Sequence, residues 1–286
     1  MDHHYVPIFY TSNWINKNGK ILYYKFVHIN KIVCGEITPE NTGFEPDLYA
    51  KENTTDDDKH SIEEKCYKEI DDKGAKSLSK ITYGEINKLS DNDKMDWSRF
   101  VVSMMTRHKD MVKNATQLGK EIIHKKTKLL SAEEQVIFQP VIAYWYENIG
   151  KETLAAMATS HHMPNMDSLE KYTGTLLKMH WWVEDFSKTS FSLLTSDYPV
   201  TFHAWGDRYV RMPTLNDMLL TGHFILAMPL SPKICFYACM RKSRFPVTQD
   251  ALIKIQNRVT IAKAKNFVFT NDMTQDYFIR RRFRQV

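Results

Sequence analysis

Apolar and polar residues alternate over two short segments near the beginning of the chain, residues 21–27 and residues 31–36. A period of two is typical of a β-strand with one buried face, so both segments are predicted to be strands. The aromatic-rich stretch Tyr5–Trp14, which Pro7 stiffens, is also strand-like. The N-terminal region is therefore predicted to form short strands, followed by a surface loop over residues 38–58.

The spacing of apolar residues changes to three and four in the middle of the chain, which is typical of amphipathic helices. The clearest pattern covers residues 94–126 and predicts one long helix. Its apolar face consists of Trp97, Val101, Met104, His108, Met111, Ala115, Leu118 and Ile122. The centre of the chain is therefore predicted to be a helical block built around this long helix.

Further helices are predicted on both sides of the long one. They cover residues 61–89, with interruptions near Gly74 and Gly84, residues 131–150 and residues 153–160. The first two begin with a serine that is followed three residues later by a glutamate. This is the capping-box pattern, in which the two side chains satisfy backbone N–H groups at the start of a helix.

Strand-like composition returns after about residue 175. The segments with the length and residue types of strands are 176–186, 191–195, 224–229, 233–240 and 266–270, and residues 249–265 have helical spacing. Strands, then helices, then strands again indicate an α+β fold rather than repeated βαβ units. We expect the C-terminal region to be an antiparallel or mixed sheet with a packed helix.

The composition supports a sizeable core, because 43% of the 286 residues are hydrophobic and 12% are aromatic. That is enough apolar surface for a stable folded protein. We expect a single domain over residues 1–286. Its parts are the strands and loop of residues 1–60, the helical block of 61–170, and the sheet and helix of 171–286.

Neither a membrane span nor a secretion signal is evident. The longest apolar runs, such as Phe224–Met228, are far shorter than the ~20 residues with which a helix crosses a bilayer. The first residues lack the basic segment and apolar stretch of a signal peptide. The four cysteines contain no CxxC pair, so we expect reduced, mostly buried thiols.

The net charge of +5 is modest and is partly concentrated in the segment Arg280–Arg284. A basic cluster of this kind could bind partners that carry phosphate, such as nucleic acid or a nucleotide. A solvated tail without a partner explains the same charges. The charge pattern therefore leaves both interpretations open.

Two neighbouring histidines, His3 and His4, stand just before the segment that Pro7 stiffens. Imidazoles bind metal ions and transfer protons near neutral pH, so this pair could supply a metal ligand or a general base. A frayed chain terminus is the alternative interpretation.

Three later residues could join the histidines in one site. Glu63 could bind a cation or act as a base, Arg107 could hold a carboxylate or phosphate, and Asp197 could bind a metal or orient a histidine. Each also has an interpretation without function. Glu63 could face water, Arg107 could form a structural ion pair, and Asp197 could belong to an Asx turn before Pro199.

Familiar catalytic templates are absent from the sequence. It contains no glycine-rich phosphate loop, no HExxH, no GxSxG and no kinase signature. The common nucleotide-binding and hydrolase folds are therefore unsupported, and any catalytic site must be built from dispersed residues.

The opening segment His3-His4-Tyr5-Val6-Pro7-Ile8-Phe9-Tyr10 resembles the HHxVPxxY motif of a family catalogued as domain of unknown function 4238. Later parts of the chain resemble the family pattern in the same order, so the resemblance covers essentially the whole chain. These parts are the acidic helix with Glu63 and Glu69, the segment Phe100–His108, the turn Thr195–Val200, the strand end Met228–Pro232, and Asn257–Thr270.

The resemblance implies a mostly bacterial, cytoplasmic protein. It also implies that five residues share a site, namely His3, His4, Glu63, Arg107 and Asp197. It does not imply a reaction, because the family is named for its unknown function.

Two functions compete for these residues. In the first, the chain is a metal-assisted hydrolase, nuclease-like, that cleaves phosphodiester bonds of nucleic acid or nucleotides, and all five residues are catalytic. His4, Glu63 and Asp197 would then bind a divalent metal ion. In the second, the same residues form a buried polar network that holds the N-terminus on a binding or regulatory module without turnover.

Overall fold

The computed structural model of the chain describes residues 1–28, 31–52, 55, 59–148, 166–204, 224–241 and 247–283. The strands are β1 (Asp2–His4), β2 (Ile21–His28), β3 (Lys31–Ile37), β4 (Phe44–Pro46), β5 (His180–Asp185), β6 (Thr195–Ser196), β7 (Thr201–Ala204), β8 (Phe224–Pro229), β9 (Ile234–Cys239) and β10 (Phe267–Thr270). The α-helices are α1 (Ile8–Thr11), α2 (Lys68–Thr82), α3 (Asp91–Thr106), α4 (Lys109–Lys128), α5 (Ala132–Asn148), α6 (Met166–Leu177), α7 (Gln249–Lys263) and α8 (Asp276–Phe283).

Within these ranges the strands form three antiparallel sheets. β1 pairs with β4, the second sheet has the order β3-β2-β10-β6, and the third has the order β5-β9-β8-β7. The helices α2 to α6 lie between the two groups of strands in the sequence, so the fold is α+β as predicted. Because β10 pairs with β2, the second sheet joins the beginning of the chain to its end.

The prediction of a strand over Tyr5–Trp14 is wrong. Pro7 has an extended backbone and is followed directly by α1 and by a 3₁₀ turn over Ser12–Trp14. Proline suits the start of a helix, because its ring fixes φ and its missing N–H would be unpaired there in any case.

This short helical segment is anchored in the core by two aromatic residues four positions apart. Both Tyr10 and Trp14 are fully buried. The Tyr10 hydroxyl donates a hydrogen bond to the Pro229 carbonyl (2.7 Å), and Trp14 Nε1 donates one to the Leu193 carbonyl (3.1 Å). The N-terminal segment is therefore tied to the C-terminal half of the chain.

The predicted long helix over 94–126 is in fact two helices, α3 and α4, separated at Arg107 and His108. The backbone of His108 is extended, and its Nδ1 accepts a hydrogen bond from the backbone N–H of Asp110 (3.1 Å), which caps α4. Both helices contribute buried residues, so the apolar spacing continues across the break and conceals it. The break leaves Arg107 wholly inside the protein.

One of the two predicted capping boxes is confirmed. At the start of α5, the Ser131 N–H donates to Glu134 Oε2 (2.7 Å) and the Glu134 N–H donates to Ser131 Oγ (3.2 Å). Ser61 makes no side-chain cap, because the chain there enters a π-helical segment, Ile62–Tyr67, that leads into α2. A capping box that was not predicted starts α3, formed by Ser90 and Asp93.

The C-terminal predictions are correct except near residues 176–195. β8, β9, α7 and β10 agree with the predicted segments, as do β2 and β3 in the N-terminal region. The segment 176–186 is wrong at its start, because α6 extends to Leu177 and β5 begins only at His180. Of the predicted strand 191–195, only Thr195 lies in β6. The helix predicted over 153–160 lies outside the described residues.

The basic C-terminal segment is partly anchored. Arg280 lies on α8, where its Nε donates to Asp276 (2.8 Å) and its guanidinium approaches the Ile32 carbonyl (3.4 Å). A freely solvated tail is therefore the wrong description of Arg280. Arg284 lies outside the described residues.

All four cysteines are free thiols as predicted, but only Cys235 and Cys239 are buried, whereas Cys34 and Cys66 are partly exposed. Among the helices of the described ranges, none combines the length and the apolar character needed to cross a membrane.

The helices α2 and α3 pack most closely at Gly74. The helix continues through this glycine, where the sequence predicted an interruption, and the predicted interruption at Gly84 is correct because that residue has φ +80° just after α2. A Cβ atom at Gly74 would lie only 2.6 Å from Phe100 Cγ. The glycine is therefore required by the approach of Phe100.

We predict that Gly74→Ala lowers the free energy of unfolding by ~1–3 kcal/mol, because overpacking displaces the buried Phe100 ring. Thermal or urea unfolding measures this effect. Gly174→Ala in α6 is the matched control, since an added Cβ there meets no atom within 4 Å. It should leave stability unchanged or raise it by up to ~1 kcal/mol. Equal stability of the two variants would contradict the packing described here.

Candidate functional site

His3 is fully buried, and both of its ring nitrogens have partners. Its Nδ1 accepts a hydrogen bond from the backbone N–H of Tyr49 (2.9 Å), so in the neutral ring the proton is on Nε2. Nε2 then donates to Nδ1 of His60 (3.0 Å). Burial and the neighbouring His60 lower the pKa of His3, which favours this neutral form.

His3, Asp47 and His60 form a group whose possible ligand atoms all lie within 4.8 Å of one another, close enough to hold a metal ion. The hydrogen bonds of His3 oppose that use. A metal on Nε2 would displace its proton, and a neutral ring would then carry hydrogen on Nδ1, facing the Tyr49 N–H. In metal sites the second ring nitrogen usually donates a hydrogen bond. The observed arrangement therefore fits a hydrogen-bonded histidine pair better than a metal centre.

Arg107 lies at the centre of a second cluster. Its side chain is 0% exposed, and its Nη1 donates to Asp71 Oδ1 (2.8 Å), whose side chain is 20% exposed. The guanidinium also lies over the ring of Tyr67, 5.5 Å from its centroid. Its Nε has no hydrogen-bond partner among the described residues. The predicted structural ion pair is therefore present, and the Nε–H group of Arg107 is left without a partner among the described residues.

Glu63 lies next to this ion pair, in the π-helical segment that leads into α2. Burial raises its pKa to about 7, while Arg107 and a hydrogen bond from the backbone N–H of His4 partly oppose the shift. Its Oε2 is buried and has no partner among the described residues. π-helical turns are rare and often occur at functional sites. Because its pKa is about 7, the Glu63 carboxyl can exchange a proton near neutral pH.

The side chain of His4 belongs to the same cluster. Its ring lies 5.5 Å from the ring of Phe44, and its Nε2 is 3.3 Å from the Glu40 carbonyl. The imidazole is close enough to Asp71 to act on the pKa of that carboxyl, which burial raises and Arg107 lowers. Three predicted residues, His4, Glu63 and Arg107, are thus brought together.

Asp197 is also buried, but in a different environment. Its carboxylate accepts hydrogen bonds from the backbone N–H groups of Lys265 (2.9 Å) and Asn266 (2.7 Å) and from the Asn266 side chain (3.1 Å). These bonds hold the turn after β6 against the residues that lead into β10. Its Oδ2 is 3.8 Å from Nε2 of His108.

The Arg107 cluster and the environment of Asp197 meet at the break between α3 and α4. Arg107 is paired with Asp71, and the next residue, His108, packs on Tyr5 and lies beside Asp197. Each of the three residues His3–Tyr5 therefore has a polar neighbour. His60 lies beside His3, Glu63 lies beside the His4 backbone, and His108 lies beside Tyr5.

Sequence reasoning missed three residues of these clusters, Tyr49, His60 and Asp71. Asp71 could have been found, because it lies eight residues after Glu63 and so on the same side of a helix. Tyr49 connects His3 to the Arg107 cluster, since its backbone N–H donates to the His3 ring and its hydroxyl donates to the Arg107 carbonyl. No spacing pattern indicates Tyr49 or His60.

We predict that Asp71→Asn destabilises the protein by ~3 kcal/mol, because it leaves the buried Arg107 charge without its anion. Chemical denaturation measures the loss. Asp72→Asn, at the exposed neighbouring position, is the matched control and should change stability by less than ~0.5 kcal/mol. A loss no larger than that of the control would show that Arg107 does not depend on this ion pair.

We predict that Glu63 makes the protein less stable as pH rises. Its pKa is about 7 in the folded state and near 4.5 when unfolded, so between these values the folded state binds more protons. The contribution of Glu63 to the free energy of unfolding is therefore fully present below pH 4.5 and is lost as the pH rises through 7. Glu63→Gln removes this pH dependence. The melting temperature of the variant minus that of wild type should therefore increase from pH 5 to pH 8.

Glu64→Gln is the control for this experiment, since Glu64 is exposed. The difference between its melting temperature and that of wild type should be the same at every pH. A pH-independent difference for Glu63→Gln as well would mean that folding does not raise the pKa of Glu63.

Comparison with known proteins supports a family and nothing finer. A family model described as a protein of unknown function, DUF4238, matches residues 2–274 of the 286. No curated protein and no solved structure matches the chain significantly. Because the match covers nearly the whole sequence, the chain belongs to this family of proteins of unknown function.

Proposed function

We propose that this chain is a nuclease that cleaves phosphodiester bonds, with Glu63 as its general acid–base group. RNA is the substrate that this chemistry suits best, because its 2′-hydroxyl can attack the neighbouring phosphorus once a base removes the proton. The bond from phosphorus to the 5′-oxygen then breaks, and the departing oxygen takes a proton from an acid.

The observation that carries the proposal is the environment of Glu63. Its pKa is about 7, it has an unpartnered buried oxygen, it accepts a hydrogen bond from the backbone N–H of His4, and the charge of Arg107 acts on it. A general base works best when its pKa is near the pH of the reaction. An ordinary surface glutamate, with a pKa near 4.5, would be a much weaker base.

The other predicted residues receive separate roles. His4 is proposed as the acid that protonates the leaving oxygen. Arg107, which is buried and whose charge lowers the pKa of Glu63, is proposed as a positioning residue that favours the anionic phosphorus centre. His3 and Asp197 are proposed to hold the surrounding backbone, through their bonds to Tyr49 and to Lys265 and Asn266.

This proposal gives no role to the metal ion that the sequence suggested. Of the predicted ligands, Asp197 already accepts three hydrogen bonds and lies beside His108 rather than in the Arg107 cluster. The alternative group of His3, Asp47 and His60 uses both nitrogens of His3 in hydrogen bonds. Cleavage of RNA by an acid and a base requires no metal.

A second candidate function is a binding or regulatory module in which the polar residues are structural. One observation favours it: His3 and Arg107 are 0% exposed and Asp197 is 2% exposed. These three residues cannot touch a substrate without a change in the fold. Among the described residues of this cluster, His4, Glu63 and Asp71 are partly exposed.

The test compares cleavage of a mixed-sequence RNA oligonucleotide and a DNA oligonucleotide of the same sequence, in buffer with EDTA. We predict that RNA is cleaved to cyclic phosphate ends and DNA is not. Glu63→Gln should reduce the rate by ~10²–10⁴-fold, which is typical for loss of a general acid–base group. Glu64→Gln should keep the wild-type rate.

Equal rates for wild type and Glu63→Gln would refute the catalytic role. No cleavage of either substrate, together with loss of stability in His4→Ala, would favour the structural module. Cleavage that appears only when Mn²⁺ or Zn²⁺ is added would favour the metal-assisted mechanism instead.

A further inference from the structure

The helix α5 has no buried residue along its whole length. A helix of a folded protein normally has one face in the core. The preceding helix, α4, is buried only at Val112, Ala115 and Gly119, and at no position after Gly119. The end of α4 and all of α5 therefore stand away from the core of the described structure.

The two sides of α5 differ in exposure. Its less exposed positions are Gln135, Ile142 and Tyr146, of which Gln135 donates to the Leu130 carbonyl. The opposite side is apolar: Val136 is 74% exposed and Tyr144 is 63% exposed. Large apolar side chains thus face outward on the more exposed side of the helix.

The outward face is broad and without charge. At ~100° per residue, its side chains cover an arc of about 200°. They are Val136, Ile137, Phe138, Val141, Tyr144 and Trp145. No charged residue occurs from Gln135 to Tyr146. Loss of charge and enrichment in aromatic residues are typical of the centre of a protein–protein interface.

We propose that the outward face of α5 is the contact surface of a homodimer, covered by the same face of a second copy of this chain. Identical helices can pack through rows of residues spaced by four, crossing at about 50°. Ile137, Val141 and Trp145 form such a row. A crossing at Val141 also keeps the acidic ends of the two helices apart.

Charge favours a second copy over a lipid surface. Helices that lie on membranes usually carry lysine or arginine, which attract anionic lipids. Ala132–Asn148 contains neither, and has Glu133, Glu134 and Glu147 instead.

Apolar area also suits a dimer. Large side chains expose roughly 100 Å² each when about half exposed, so six of them present on the order of 600 Å². That is at the upper limit for an apolar patch on a monomer and near the ~800 Å² that each partner contributes to a standard interface.

Analytical ultracentrifugation of the full chain from 1 to 100 μM tests the proposal. Wild type should show a monomer–dimer equilibrium or a stable dimer. Val141→Glu and the milder Tyr144→Ser should each weaken association at least ~30-fold, as expected for central interface residues. Tyr83→Glu is the matched control, since Tyr83 is 83% exposed but lies after α2, and it should dimerise like wild type.

Three results would overturn the proposal. Wild type could be monomeric at every concentration, which would mean that a second copy does not cover this face. Val141→Glu and Tyr144→Ser could both dimerise like wild type, which would move the interface elsewhere. Wild-type monomers could sediment with phosphatidylcholine–phosphatidylserine vesicles in a Val141-dependent manner, which would identify a lipid surface as the occupant. Circular dichroism checks that each variant is folded.

Discussion

The buried ion pair between Arg107 and Asp71 is the interaction on which the N-terminal half of this protein depends. A guanidinium that is removed from water is tolerated only when an anion and aromatic faces surround it. Here Asp71 supplies the anion, while Tyr67 and Phe100 supply the faces. The break between α3 and α4 exists at the residue where this charge enters the core, so helix geometry and electrostatics are coupled at one position.

The same charge determines how the neighbouring residues behave. Glu63 is buried enough for its pKa to rise, and Arg107 is close enough to limit the rise, so the carboxyl titrates near neutral pH instead of staying permanently protonated. Tyr49 links this cluster to His3 by bonding to the Arg107 carbonyl and to the His3 ring. The proposed chemistry and the anchoring of β1 are thus two consequences of one network.

Local sequence patterns predicted the elements whose formation depends on nearby residues. Alternation revealed β2 and β3, and the pair Ser131 and Glu134 revealed the start of α5. The break at His108 was hidden because two helices that line one core share an apolar stripe. The segment Tyr5–Trp14 was misassigned because aromatic content suggested a strand, although the spacing of Tyr10 and Trp14 is helical.

The site was predictable only in part, for a similar reason. The resemblance to a family pointed to His4, Glu63 and Arg107, which do lie together. The partners of Asp197 are backbone groups at Lys265 and Asn266, almost seventy residues later, and no local pattern indicates them. Tyr49 bonds to His3 through its backbone N–H, which every residue except proline has, so this contact could not be read from residue type.

Direct measurement of the Glu63 pKa tests the central claim, that a neutral-range acid–base group is held beside a buried arginine. In an NMR titration of side-chain carboxyl carbons, the signal missing from Glu63→Gln identifies Glu63. We predict a midpoint near 7 for this signal. A midpoint near 4.5 would contradict the claim, because it would mean that Glu63 is an ordinary solvated carboxylate with no special capacity to exchange a proton at neutral pH.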